Sequence, residues 1–143
     1  MPLLLPYVAG LFDGEGCFQV VRHRTTLVPR VLVVNTSRDV LDLLKAQFGG
    51  DISPMKRRKA LWKTAYQWRL SNQAALNFMS AIEPWLRIKQ EQAHLACAID
   101  ATRPGYGGGS WNEEVKELLV SQSKYVNWRG IGRPEQSPME LAL

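Results

Sequence analysis

The chain has 143 residues, 45% of them hydrophobic and 22% charged. That is one domain's worth of sequence with enough apolar content for a core, which excludes a wholly disordered chain. Eighteen Lys and Arg against thirteen Asp and Glu leave a net charge of +5, a balance that suits a polyanionic partner without identifying one. No apolar run reaches the roughly 18 residues of a membrane span. The Leu3-Leu4-Leu5 stretch meets Pro6 and lacks the basic flank and cleavage site of a signal peptide. Two cysteines, Cys17 and Cys97, make no disulfide framework, and no CxxC or paired His suggests zinc. The chain reads as soluble and intracellular, with no small-molecule substrate indicated.

In chain order, Tyr7 to Gly14 reads as a short helix, apolar at Val8, Leu11 and Phe12. Cys17 to Arg24 reads as a strand rich in β-formers, Thr25-Thr26 as a turn, and Pro29 to Asn35 as a second strand. Thr36 or Ser37 caps a helix whose buried stripe is Val40, Leu41, Leu43, Leu44 and Phe48, and Gly49-Gly50 stops it. Ile52 to Lys56 is expected as a short strand and Arg57 to Ala60 as a basic turn. Leu61 to Ser71 then alternates, with the Trp62, Tyr66 and Trp68 stripe expected in the core and Lys63, Gln67 and Arg69 on the other face. Helices follow over Asn72 to Ile82 and from Pro84 to about Ala101. After a Pro/Gly-rich loop, Ser110 with Glu113 forms an S-x-x-E capping box for a helix to about Tyr125. The order α-β-β-α-β-β-α-α predicts an α+β domain over residues 1–128, two hairpins with helices on one face. Residues 129–143 are expected to be a loose tail.

The first helix is chemically odd. Gly10 and Gly14 lie one turn apart on one face, although each interior glycine costs about 1 kcal/mol against alanine. Such a face admits close approach of a second backbone. Asp13 and Glu15 arrive at the C-terminal end, where the helix dipole disfavours carboxylates unless a cation joins them. A divalent metal is one such cation. A Glu15 that simply ends its helix is the plainer alternative.

Residues 8–16, VAGLFDGEG, resemble the LAGLIDADG motif of homing endonucleases, with Val at the first position and Glu as the last acid. The segment Pro84-Trp85-Leu86-Arg87-Ile88-Lys89-Gln90-Glu91-Gln92-Ala93 resembles the P-x-L-x-x-K-Q-x-Q-A stretch of single-motif members. The likeness covers about residues 5 to 128. It implies the αββαββα fold and a homodimer joined along the first helix, with Val8, Ala9, Gly10, Phe12, Asp13 and Gly14 at the interface. It also implies Mg²⁺-dependent cleavage of double-stranded DNA at a long pseudo-palindromic site, leaving short 3′ overhangs, by a protein encoded in an intron. Glu15 would hold the Mg²⁺ together with the Gly14 carbonyl, and Mn²⁺ or Ca²⁺ can occupy such a site in vitro. For Asp13 two roles stay open, a cap on local backbone or a contact with the partner helix.

Lys89 falls on the family's active-site lysine and would stabilise phosphorane charge; otherwise it is a solvated helix lysine. Asn35 falls where the family carries a water-ordering polar residue, and an Asx turn before the next helix explains it equally well. Alternation from Glu15 puts Gln19, Val21 and His23 on the DNA-reading face, with Arg30 and Leu32 on the second strand and Lys63, Gln67 and Arg69 on the fourth. Lys56, Arg57 and Arg58 in the hairpin suit phosphates. The compartment stays open among bacterial cytoplasm, chloroplast and mitochondrion. An RNA-binding maturase and an inactive DNA-binding protein on the same scaffold are the competing readings.

Overall fold

The computed structural model describes residues 2–56, 59–102 and 111–142. Pro6 sits in the first turn of helix α1 (Leu5–Glu15), where its missing N–H costs nothing, so the helix starts two residues earlier than its apolar spacing suggests. Strands β1 (Gly16–His23) and β2 (Thr26–Asn35) form a hairpin turned by Arg24 and Thr25, and Thr26 Oγ1 donates to the His23 carbonyl at 3.0 Å. Helix α2 (Arg38–Phe48) ends at Gly49, whose φ of 85° is left-handed. Gly50 follows at φ 90°, and a Cβ there would lie 2.4 Å from the Arg69 carbonyl. That close approach lets Trp68 Nε1 donate to the Gly49 carbonyl at 2.8 Å.

Strands β3 (Asp51–Pro54) and β4 (Tyr66–Ser71) form the second hairpin. The antiparallel sheet runs β1-β2-β4-β3, with Arg30 opposite Ser71, Leu32 opposite Arg69 and Val34 opposite Gln67 where the hairpins join. Helices α3 (Asn72–Ile82), α4 (Gln90–Thr102), α5 (Glu113–Val126) and α6 (Pro138–Leu141) complete the α+β fold. Phe18, Val20, Val31, Val33, Trp68 and Leu70 line the sheet's covered face. Phe78 of α3 is the hub beneath them, edge-on to Trp68 at 5.3 Å, Phe48 at 4.9 Å and Phe12 at 6.0 Å. Each such ring buried contributes about 2–3 kcal/mol.

β1 is an edge strand, and its free edge is closed by side chains rather than by another strand. The Phe18 N–H donates to Gln92 Oε1 at 2.7 Å, the Val20 N–H donates to Ser123 Oγ at 2.9 Å, and Asn127 Nδ2 donates to the Phe18 carbonyl at 2.9 Å. This explains why Gln92 and Ser123 are buried polar residues. It also removes a pairing edge next to the site described below.

Several expectations need correction. β4 begins at Tyr66 rather than Leu61, so Lys63 lies on irregular chain and not on the sheet face. Trp62 is 51% exposed with the Lys59 ammonium 5.5 Å over its ring; it is not core, and the aromatic stripe reduces to Tyr66 and Trp68. The helix expected from Pro84 is split into a 3₁₀ turn, Glu83–Trp85, and α4 from Gln90. α5 is capped by Asn112, whose side chain accepts from the Val115 N–H at 2.9 Å; Ser110 lies outside the described residues, as do Arg57, Arg58 and the loop from Arg103. The tail is not loose through residue 142: Tyr125 Oη donates toward the Pro134 and Glu135 carbonyls, Arg133 pairs with Glu91 at 2.8 Å, and the Met139 N–H donates to Gln122. Among the described residues no helix is long and apolar enough to cross a membrane.

Candidate active site and nucleic-acid interface

The split between the 3₁₀ turn and α4 is caused by Asp13. Its carboxylate accepts the N–H groups of Arg87 at 2.8 Å, Ile88 at 3.1 Å and Lys89 at 3.0 Å. Three donors that a continuous helix would direct inward are instead gathered on one anion at the start of α4, the end where the dipole favours it. Asp13 is therefore a clamp between α1 and α4, which is the backbone-capping alternative weighed above rather than a side chain free for a partner helix.

The clamp carries Lys89 to the C-terminal end of α1. There Lys89 Nζ donates to the carbonyls of Phe12 and Gly16 and lies 5.6 Å from the Phe12 ring centroid. A cation at the end of α1 answers the negative helix pole. Partial burial lowers the ammonium pKa below the ordinary lysine range; Cys17, Asp13 and Glu15 oppose the shift, and Arg129 adds to it. Gly16 is required here for packing, since a Cβ would lie 2.2 Å from the Phe12 ring.

Glu15 is the last residue of α1 and is exposed, with no hydrogen-bond or ion-pair partner among the described residues. Asn35 sits two residues past Val33, the partner of Gly16, at the same end of the sheet. Its Oδ1 accepts the Ser37 N–H at 2.8 Å, which is the Asx turn weighed above, and leaves the amide donor for other work. Arg38 is engaged locally, 5.1 Å from the Tyr66 ring and 3.7 Å from Asp42.

On α1 the faces divide cleanly. Val8, Ala9 and Phe12 are at most 1% exposed in this chain's own core, so their side chains are not available to a partner, contrary to expectation. The exposed stripe is Leu4, Tyr7, Gly10 and Gly14, with Leu11 half-buried beside it. A Cβ on Gly10 or Gly14 would meet nothing within 4 Å. Leu4 and Tyr7 were missed as members of this face, although the spacing Leu4, Tyr7, Leu11 and Gly14 carries it plainly.

The sheet's open face brings together most of the expected readers. Gln19 is paired with Arg30, Val21 with Val28 and Cys17 with Leu32, all partly exposed. With its amide oxygen toward Arg30, Gln19 accepts from Nε and Nη2 at 2.8 Å each, which fixes the guanidinium across the ribbon. Gln67 and Arg69 continue the face on β4, and His23 lies exposed at the hairpin end. Val28, Val34 and Ser71 share this face by register and were not anticipated. Lys56 is exposed just beyond β3.

A cleft of about 270 Å³ opens next to Lys89, walled by Gly16, Cys17, Lys89, Gln92, Asn127 and Arg129 among others. Cys17 donates to Asn127 Oδ1 at 3.1 Å, and burial pushes its thiol pKa up. Both cysteines are free. The contribution of the segment after α5 to this cleft had no signal in the sequence, because it depends on how α5 crosses β1.

No family model matches the chain. It is 28% identical over 96 residues to a probable intron-encoded endonuclease aI2 of Debaryomyces hansenii; the match takes in 65% of this chain and only 14% of that protein. Among solved structures it is similar to the homing endonuclease I-TnaI, at 25% identity and a TM-score of 0.53 over 71% of this chain and 76% of that one. It is also similar to the homing endonuclease I-CvuI, crystallised with a DNA target in the presence of Mg, at 17% identity and a TM-score of 0.64 over 96% and 89% of the two chains. The LAGLIDADG meganuclease I-AabMI bound to uncleaved DNA gives 15% identity and a TM-score of 0.59, with 98% of this chain matching 48% of that one. The structural neighbours are thus LAGLIDADG homing endonucleases, and the arrangement of helices on a four-stranded antiparallel sheet is their fold.

Proposed function

We propose that this chain is a site-specific DNA endonuclease that acts as a homodimer. The observation that carries the reading is the α1 face. Its two glycines meet open space in their own chain, at a cost in helix stability that a second backbone lying against them accounts for. The same helix ends in an exposed carboxylate, Glu15, with the clamped Lys89 beside it. Twofold packing along that face sets two Glu15 side chains near one axis, and a self-complementary contact of this kind calls for a pseudo-palindromic target.

The donor set fits a hard divalent cation. Glu15 is an unpaired carboxylate, and Gly14 offers a backbone oxygen at the helix end, where carbonyls lack helical partners. Among the described residues no group of three His, Cys, Asp or Glu is placed to hold a metal, so the remaining ligands would come from the second copy and from phosphate. A divalent cation held there would acidify a water for attack and balance charge on the leaving oxygen. Lys89 would stabilise negative charge on the phosphate, and the free amide donor of Asn35 would hold a water.

DNA reading falls to the open sheet face, where Gln19, Arg30, Gln67 and Arg69 present groups that pair with base edges and a two-stranded ribbon fits the major groove. Lys56 suits the backbone. The reading is tested with a plasmid carrying the uninterrupted form of the gene that flanks this coding sequence, incubated with Mg²⁺ or with EDTA. Linearisation only with Mg²⁺ is expected. A protein that binds this DNA and never nicks it is a binding protein instead, and stimulation of splicing of the flanking transcript would make it a maturase.

A further inference from the structure

Lys89 has three N–H donors, and two are committed to the carbonyls of Phe12 and Gly16. A single remaining donor is a weak grip on a phosphate. The cleft beside it holds a second cation, Arg129, contributed by chain outside both recognised motifs. We infer that Arg129 is a phosphate-binding residue of the cleavage site, holding the phosphodiester together with Lys89; this rests on the nuclease reading.

Its placement is built, not incidental. Asn127, two residues earlier, is fixed by its side chain to the Phe18 carbonyl at 2.9 Å, to the Ser123 carbonyl at 2.9 Å and to the Cys17 thiol at 3.1 Å. The Trp128 N–H donates to the Tyr125 carbonyl at 3.1 Å, and its indole Nε1 to the Ile131 carbonyl at 3.3 Å. Gly130, at φ 86°, then turns the chain away. These contacts tie the end of α5 to the first residues of β1, directly after Glu15, and leave Arg129 on the cleft wall.

The neighbouring arginine shows the difference. Arg133 is paired with Glu91 at 2.8 Å and lies 4.4 Å from the Tyr125 ring. Glu91 also lines the cleft and is already occupied by that pair. Arg129 has no ion-pair or hydrogen-bond partner among the described residues, and it lines the same cleft as Lys89. Lys89 and Arg129 face one cleft, so a phosphate seated there would meet both charges. A guanidinium offers a planar fork that matches two phosphate oxygens, which an ammonium with one free donor does not.

The test uses the full chain, with ¹⁵N side-chain resonances of Arg129 Nε and Lys89 Nζ followed as inorganic phosphate is added at constant ionic strength. Both signals should move with one binding constant, and Arg129→Ala should weaken the Lys89 response by about fivefold or more while Arg133→Ala leaves it in place. An Arg129 signal that does not move, or a Lys89 response unchanged in Arg129→Ala, overturns the inference. On a cleavable target, Arg129→Ala should slow single-turnover cleavage at saturating DNA by about tenfold or more, with Arg129→Lys recovering part of it. Phosphate binding here by a protein that never nicks DNA keeps the Arg129 site and sinks the nuclease reading. Cleavage indifferent to Arg129→Ala keeps the nuclease and sinks the inference.

Discussion

The Glu15 end of the sheet and the described residues that flank the β3–β4 turn both carry basic side chains, yet they are built in opposite ways. At the Glu15 end, Asp13 gathers three backbone donors, Lys89 spans two carbonyls, and Gln92 and Asn127 seal the β1 edge. At the hairpin, Leu61 is 98% exposed, one ladder bond continues from the Met55 N–H to the Ala65 carbonyl, and Lys59 lies over Trp62. The contrast teaches where position matters. Groups that act on a reacting phosphate must be held to a fraction of an ångström, whereas a side chain that only follows the backbone charge of DNA tolerates motion.

Substitutions that ask for precision at one end and tolerance at the other sharpen or break this contrast. The largest effect is expected from Glu15→Gln, which should lower cleavage by roughly 10³-fold while DNA affinity stays within about threefold. Filter binding and single-turnover kinetics on one preparation separate the two. Asp13→Asn comes next. Hydrogen bonds to a charged acceptor contribute about 1.5–3 kcal/mol, so urea unfolding should show a loss of that order, with cleavage down roughly 100-fold as Lys89 loses its placement. Equal stability in Asp13→Asn would remove the clamp from the account.

The third test compares glycines. Gly16→Ala should cost about 1–3 kcal/mol because the new methyl enters the Phe12 ring, whereas Gly10→Ala measured on dilute monomer should gain up to about 1 kcal/mol. The smallest effect belongs to the hairpin. Lys59→Ala should weaken DNA binding about threefold and reduce the salt slope by about one, with no change in unfolding. A cleavage defect at saturating DNA as deep as that of Asp13→Asn would erase the distinction between the two regions.

Much of this organisation is legible in the sequence, and what is not has physical causes. Local patterns place the two hairpins and α3, because alternation and capping are properties of neighbouring residues. That Gln19, Arg30, Leu32 and Arg69 share one face follows the same alternation, whereas the register that pairs Gln19 with Arg30 and Leu32 with Arg69 does not. The division of α1 into buried and exposed faces was half visible: the glycines stand out, but Val8, Ala9 and Phe12 required knowledge of which side meets Phe78. Periodicity extends a helix through Pro84 to Ala101 because it cannot register an anion, Asp13, arriving from 74 residues away. Trp62 looked like core because alternation carries no information on where a strand ends. Arg129 reaches the cleft only through long-range contacts of Asn127, which no local pattern encodes.

The central claim is that two copies meet along the Leu4–Tyr7–Gly10–Leu11–Gly14 face. Sedimentation equilibrium of the full chain and of Gly10→Leu tests it most directly, since the added side chain has open space in the monomer and none against a partner helix. The account predicts a dimer for the unaltered chain and a folded monomer, unchanged by circular dichroism, for Gly10→Leu. A monomeric unaltered chain, or a variant that dimerises equally well, would contradict it.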